Sequence, residues 1–114
     1  MDINAVDGGY FSTHFAPSDS RLVVQDFLSR YRLKYGKQPI SAAALTYDAA
    51  CILFEAIKQA GTADVVQVRN ALAKINFEGV TGQIAFDLEH NPIKGVAIVH
   101  IIGGKKEFVR FAMP

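Results

Sequence analysis

Between Ser41 and Gly61 runs Ala42-Ala43-Ala44-Leu45-Thr46-Tyr47-Asp48-Ala49-Ala50-Cys51-Ile52-Leu53-Phe54, nearly uncharged until Glu55 and Lys58. Leu45, Ala49, Leu53, Ile57 and Ala60 recur at spacings of three or four, the period of one helix face. The pattern predicts a helix from Ala42 to about Ala60, capped by Ser41 and closed by Gly61. A helix so poor in charge must be covered on most of its sides. That requirement constrains the remaining residues more than any other feature, because something else has to supply the cover.

Upstream, Gly8-Gly9-Tyr10-Phe11-Ser12-Thr13-His14-Phe15 reads as an extended strand or connector, broken by Ala16-Pro17-Ser18-Asp19-Ser20. Ser18 or Asp19 can cap a first helix whose stripe is Val23, Phe27 and Tyr31, joined by Val24, Leu28 and Tyr35. Arg30, Arg32 and Lys34 sit in its last turns, and Gly36 and Pro39 end it. After Gly61, Thr62 or Asp64 caps a third helix, with Val65, Val68, Leu72 and Ile75 inward until Asn76. From Gly79 the period changes to two, giving a half-buried strand over Val80–Asp87 and a turn at Glu89-His90-Asn91-Pro92. Val96–Ile102 and Lys105–Phe111 flank Gly103-Gly104, a pair that supplies the positive φ of a two-residue hairpin turn. That turn sets His100 opposite Glu107 and Val99 opposite Phe108.

One strand, three consecutive helices and three strands make an α/β or α+β domain with too few strands to cover the middle helix. An exposed apolar face of that size marks an interface. The 114 residues, 50% hydrophobic and 20% charged, suffice for one domain without disulfides or metals. The formal net charge of +1 offers no basic stripe for nucleic acid. The longest apolar run, Val96–Ile102, is far short of the roughly 20 residues that span a bilayer. Met1-Asp2-Ile3-Asn4 has neither the basic nor the apolar region of an export signal, so the chain as written is expected to stay in the cytoplasm.

No catalytic constellation is legible: there is no phosphate-binding glycine loop and no nucleophile elbow, and His14, His90 and His100 lack a nucleophile beside them. We therefore expect no enzyme, no metal and no cofactor. The single cysteine, Cys51, reads as a small buried hydrophobe, Tyr47 as a packing residue and Asp48 as an exposed acid. The start of the middle helix is the sharper candidate. Unpaired N–H groups and the positive end of the helix dipole suit a ligand carboxylate, which nominates Ser41, Ala42 and Ala43. Phe11 and Ser12 on the connector are further candidates.

Three groups of residues also carry a resemblance: Gly9-Tyr10-Phe11; Phe27-x-x-x-Tyr31-x-x-x-Tyr35-Gly36-x-x-Pro39; and Ala42-Ala43-Ala44-Leu45-x-Tyr47-Asp48-Ala49. With Ile57-Lys58-x-Ala60-Gly61, Val68-Arg69-x-Ala71-Leu72 and, most specific, Phe77-Glu78-Gly79-Val80-Thr81-Gly82-x-Ile84-x-Phe86-Asp87 before Asn91-Pro92, the chain resembles the last third of the periplasmic branched-chain amino-acid-binding proteins. The resemblance covers residues 7–111, a single partial domain. It implies an α/β piece of a type I periplasmic-binding-protein fold, whose two lobes close on a ligand at the hinge and deliver it to an ABC permease. Gly9–Phe15 would then be a hinge connector, the three helices part of the first lobe, and Phe86–Pro92 the return crossing. It also places Ala42 at the ligand cleft. Family members are about three times as long, so ligand binding by this third alone is not expected. Strand edges left open by the missing sheet predict a homodimer, by edge pairing or by swapping of the C-terminal hairpin. A stand-alone protein-interaction module and a detached ligand-sensing domain of a receptor are the alternative readings.

Overall fold

The computed structural model describes residues 3–114. After a short 3-10 turn at Ile3–Val6, the chain forms β1 (Tyr10–Thr13), α1 (Leu22–Tyr35), α2 (Ser41–Ala60) and α3 (Val65–Leu72). Five strands follow: β2 (Asn76–Gly79), β3 (Gly82–Phe86), β4 (Pro92–Lys94), β5 (Val96–Ile102) and β6 (Lys105–Ala112). They build two antiparallel sheets, ordered β1-β5-β6 and β2-β3-β4.

The helices lie where the apolar periods put them, but their starts differ from expectation. Neither Ser18 nor Asp19 caps α1. Its N-cap is Arg21, without a side-chain bond, and Asp19 is buried, accepting from the Arg21 backbone N–H at 3.0 Å. Ser41 is the first residue of α2 rather than its cap, and Ile40 holds the cap position with extended backbone. Only α3 is capped as expected, by Asp64 Oδ1 accepting from the Gln67 N–H at 3.0 Å. Val65, expected inward, is exposed, because α3 turns Val68 into the core. Gly36 and Gly61 close α1 and α2 in the left-handed conformation.

The stripe that α2 buries is Ala44, Asp48, Ile52 and Ala56, one position away from the predicted one. Two alanines on that stripe allow close approach of neighbouring elements, while Ala49 and Leu53 of the predicted stripe are exposed. The expectation that α2 is covered on most sides is not met by the described residues.

The C-terminal hairpin has the predicted register. His100 pairs with Glu107 and Val99 with Phe108 around Gly103 and Gly104, both at positive φ. His100 stacks on Tyr10 of β1, with ring centroids 4.1 Å apart and planes 2° from parallel. The predicted strand over Val80–Asp87 is in fact the tip and second strand of a hairpin. Val80 and Thr81 form its turn, with Gly79 and Gly82 paired at its base, and β2 and β4 were not read from the sequence.

Three small hydrophobic clusters take the place of one core. Phe15, Val24, Phe27, Leu28, Ala44 and Val80 join α1, α2 and the β2–β3 turn. Ile52, Ala56, Val68, Ile75 and Ile84 join α2, α3 and the second sheet, while Ala16, Ala97 and Val99 pack with Phe108 and Phe111 in the first. The Cα radius of gyration is 16.3 Å, against about 13 Å for a closed domain of this length.

Candidate functional site

The tip of the β2–β3 hairpin is the point on which the elements converge. Asp48, 2% exposed, reaches from α2 and accepts from the Val80 N–H (2.8 Å), the Thr81 N–H (2.7 Å) and the Thr81 hydroxyl (2.7 Å). Asp48 is therefore a buried clamp and not the exposed acid expected from the sequence. Gly79 leaves the space for it, since a Cβ there would stand 2.6 Å from the carboxylate. Lys94 of β4 donates to Thr81 Oγ1 at 2.6 Å, completing a chain from ammonium through hydroxyl to carboxylate. Burial pushes the Lys94 pKa below its ordinary value, and the nearby Asp48 charge opposes that shift.

Arg21 holds the same turn from the other side. It donates from Nη1 to the Gly79 carbonyl and from Nη2 to the Val80 carbonyl, each at 3.1 Å, and is paired with Asp19 at 2.8 Å. Its guanidinium lies 4.9 Å from the centroid of the Phe111 ring of β6. The two sheets and the first two helices thus meet at one four-residue turn, and every buried side-chain nitrogen and oxygen among the described residues has a hydrogen-bond partner.

The sequence-predicted candidates lie beside this junction. The end of β1 meets the start of α2, with Thr13 Oγ1 3.4 Å from Ser41 Oγ. Ala42 is exposed and its carbonyl accepts from the Thr46 hydroxyl, whereas the Ala43 N–H donates to the Ile40 carbonyl at 3.0 Å and is already engaged. Phe11 and Ser12 alternate across β1. Phe11 is paired in register with the buried Val99 and has the Lys106 ammonium 5.7 Å from its ring centroid; Ser12 lies on the face of the Tyr10–His100 stack. The fold thus gathers Thr13, Ser41 and Ala42 at one end of α2 and sends Phe11 and Ser12 to opposite faces of the sheet.

Along α2, an apolar groove of about 330 Å³ runs past Leu45, Ala49 and Leu53 to Phe86 and Pro92, with Lys94 at its rim. Tyr47 packs on Phe27 at 4.9 Å, and burial, then the adjacent Cys51, pushes its phenol pKa up. No group of three or more His, Cys, Asp or Glu among the described residues is placed to hold a metal ion. No described helix is long and apolar enough to cross a membrane.

The Asp48 clamp was missed because an acid amid alanines has no local signal of burial. Its partners lie 32 and 33 residues away, and only the run Gly79-Val80-Thr81-Gly82, with β-branched residues between two glycines, hinted at a turn held from outside.

The sequence family described as periplasmic binding protein matches residues 2–106. The structure is similar to the leucine-binding protein of Thermotoga maritima (35% identity, TM-score 0.72), covering 96% of this chain and 32% of that one. It is also similar to the branched-chain amino acid transporter substrate-binding protein of Streptococcus pneumoniae, solved with isoleucine (32%, TM-score 0.75, 98% and 32% covered). A solute-binding protein of an ABC transporter from R. palustris, solved with benzoate, matches at 25% identity and TM-score 0.76, with 96% and 31% covered. No protein of curated function matches the chain. The chain thus spans about a third of the length of these relatives, which are solute-binding transport proteins and not enzymes. A stand-alone interaction module is not favoured. Matched along nearly its whole length, the chain belongs to the periplasmic binding protein family, as an α/β third of its type I fold.

Proposed function

We propose that this chain serves as the C-terminal third of a solute-binding receptor that captures a branched-chain or related amino acid and hands it to an ABC permease, outside the cytoplasm and without catalysis. The observation that supports this reading is the match of nearly the entire chain, at 35% and 32% identity, to a leucine-binding protein and an isoleucine complex. Ser41, Ala42 and Ala43 at the start of α2 contribute to the cleft wall, with Phe11 and Ser12 on the approach to it. Because one third of the fold supplies one part of a cleft, the isolated chain does not hold the ligand. Calorimetry with leucine, isoleucine, valine and benzoate tests this on the chain alone and on a chimera in which the chain replaces the matched third of the Thermotoga protein. We expect no saturable heat from the chain alone and saturable binding of an aliphatic amino acid by the chimera. A folded chimera that binds none of the four overturns the reading.

A homodimer is the second reading, favoured by the open edges of β1 and β6 in one sheet and of β2 and β4 in the other. Sedimentation at micromolar concentration decides it: a monomer there rejects it.

A further inference from the structure

The end of α1 and the segment leading from it to α2 concentrate charge of one sign. Between Phe27 and Tyr47 the sequence has Arg30, Arg32, Lys34 and Lys37 and neither Asp nor Glu. Arg30 is paired with Asp26 at 3.0 Å, whereas Arg32, Lys34 and Lys37 have no acidic partner among the described residues. Cations in a last turn complement the helix dipole. That accounts for Arg32 and Lys34, but not for Lys37 beyond the Gly36 closure, nor for the apolar side chains set between the charges. Leu33 is 91% exposed, Tyr35 54% and Ile40 70%. Every residue from Arg32 to Gln38 is exposed. Successive helix residues stand about 100° apart, so unbroken exposure from Arg32 to Tyr35 means that this turn projects on all its sides. The rings of Tyr31 and Tyr35 lie 4.6 Å apart by centroid, and the Lys34 ammonium is 5.5 Å from the Tyr35 centroid.

We propose that this projecting end of α1, from Arg32 to Ile40, docks on an anionic lipid surface. The inference goes beyond the proposed function and does not depend on it. Charge complementarity names the sign of the partner, and the mixture of side chains names its kind. A convex end with cations and large apolar side chains interleaved fits a surface that is acidic outside and apolar just beneath. There Leu33 and Tyr35 enter, while the guanidinium and ammonium groups stay among the phosphates. Tyrosine rings settle at that boundary, with the ring inward and the hydroxyl outward. An acidic protein surface would answer the charge and leave the exposed Leu33 unused.

The test is co-sedimentation of the chain with vesicles of mixed phosphatidylglycerol and phosphatidylcholine, and with vesicles of phosphatidylcholine alone, in about 0.1 M salt, where screening reaches about 10 Å. Arg32→Gln combined with Lys34→Gln removes two charges from the end of α1. Lys105→Gln combined with Lys106→Gln removes the same charge at exposed positions of β6 and is the control, and Leu33→Gln changes the end of α1 without changing its charge. Circular dichroism on each variant verifies that the helices persist. A cation near such a surface contributes about fivefold in affinity. We therefore expect binding to the mixed vesicles only, weakened about 25-fold by the α1 pair, less than threefold by the control pair and at least threefold by Leu33→Gln. Equal binding to phosphatidylcholine alone, binding to neither vesicle, or equal weakening by the two pairs overturns the inference. So does binding that depends on the α1 charges but not on Leu33, which leaves an acidic protein surface as the partner.

Discussion

Replacing Asp48 by alanine should be the most damaging single change in this chain. The carboxylate is buried and accepts three hydrogen bonds, two from backbone N–H groups of the β2–β3 turn. Hydrogen bonds to a charged acceptor contribute about 1.5–3 kcal/mol each, and a buried donor left without a partner costs about 1–3 kcal/mol. The Thr81 hydroxyl can rotate towards another acceptor, and water can enter along the groove that Asp48 borders, so the lower half of those ranges applies. The sum is about 3–4 kcal/mol, a large part of the roughly 5–15 kcal/mol that hold a domain together. Asp48→Asn keeps the shape but turns an amide NH2 towards at least one N–H donor, for a loss of about 2 kcal/mol. Urea unfolding followed by far-ultraviolet circular dichroism reads both. With a slope of about 1.5 kcal/mol per molar, the midpoint should fall by about 2 M for alanine and somewhat over 1 M for asparagine. If asparagine moved the midpoint by less than about 0.3 M, the turn would be held by its own hairpin and the clamp argument would fail.

Gly79→Ala brings a Cβ to 2.6 Å from the Asp48 carboxylate and should cost about 2 kcal/mol or more. In the Asp48→Ala background the same change should cost under half as much, and additive losses in a double-mutant cycle would show that the two residues do not meet. Arg21→Met strips donors from the Gly79 and Val80 carbonyls and should cost about 2 kcal/mol by thermal melt; Arg21→Lys should recover less than half, since an ammonium cannot reproduce the planar fork. Asp87 has its pKa lowered, first by the backbone N–H of Asn91. A depressed folded pKa stabilises above the unfolded value and the gain is lost as pH falls through the folded one, so melting temperature should drop as pH falls below the ordinary aspartate value of 3.8. Asp87→Asn should flatten that part of the profile, and an unchanged acid limb rejects the assignment.

What was legible in the sequence, and what was not, divides along the reach of the interactions. The α1 stripe as far as Tyr31, the Gly36 and Gly61 closures, the Asp64 cap and the Gly103-Gly104 register are all fixed by neighbours within a few residues and stand as expected, whereas Tyr35, the last residue of that stripe, is exposed. The β2–β3 hairpin was not legible, because Val80-Thr81 lacks the chemistry of a free-standing tight turn. Asp48 supplies it from α2, accepting the two N–H groups that a local turn residue would otherwise engage. The same dependence displaced the buried stripe of α2. Hydrophobic periodicity ranks Leu45, Ala49 and Leu53 above Asp48, but the helix turns Asp48 inward because three donors wait there, and its aliphatic flank is left outward. Ser41 and Ala42 lie at the head of α2, with Ser41 its first residue and not its cap, and the contact of Ser41 with Thr13 ties that head to the connector. The alternation of β1, which sets Phe11 and Ser12 on opposite faces, was implicit in the period of two. The expectation that the charge-poor helix is covered on most sides is not met by the described residues: they cover the side of α2 that carries Asp48, and the uncharged side from Thr46 to Phe54 is left exposed.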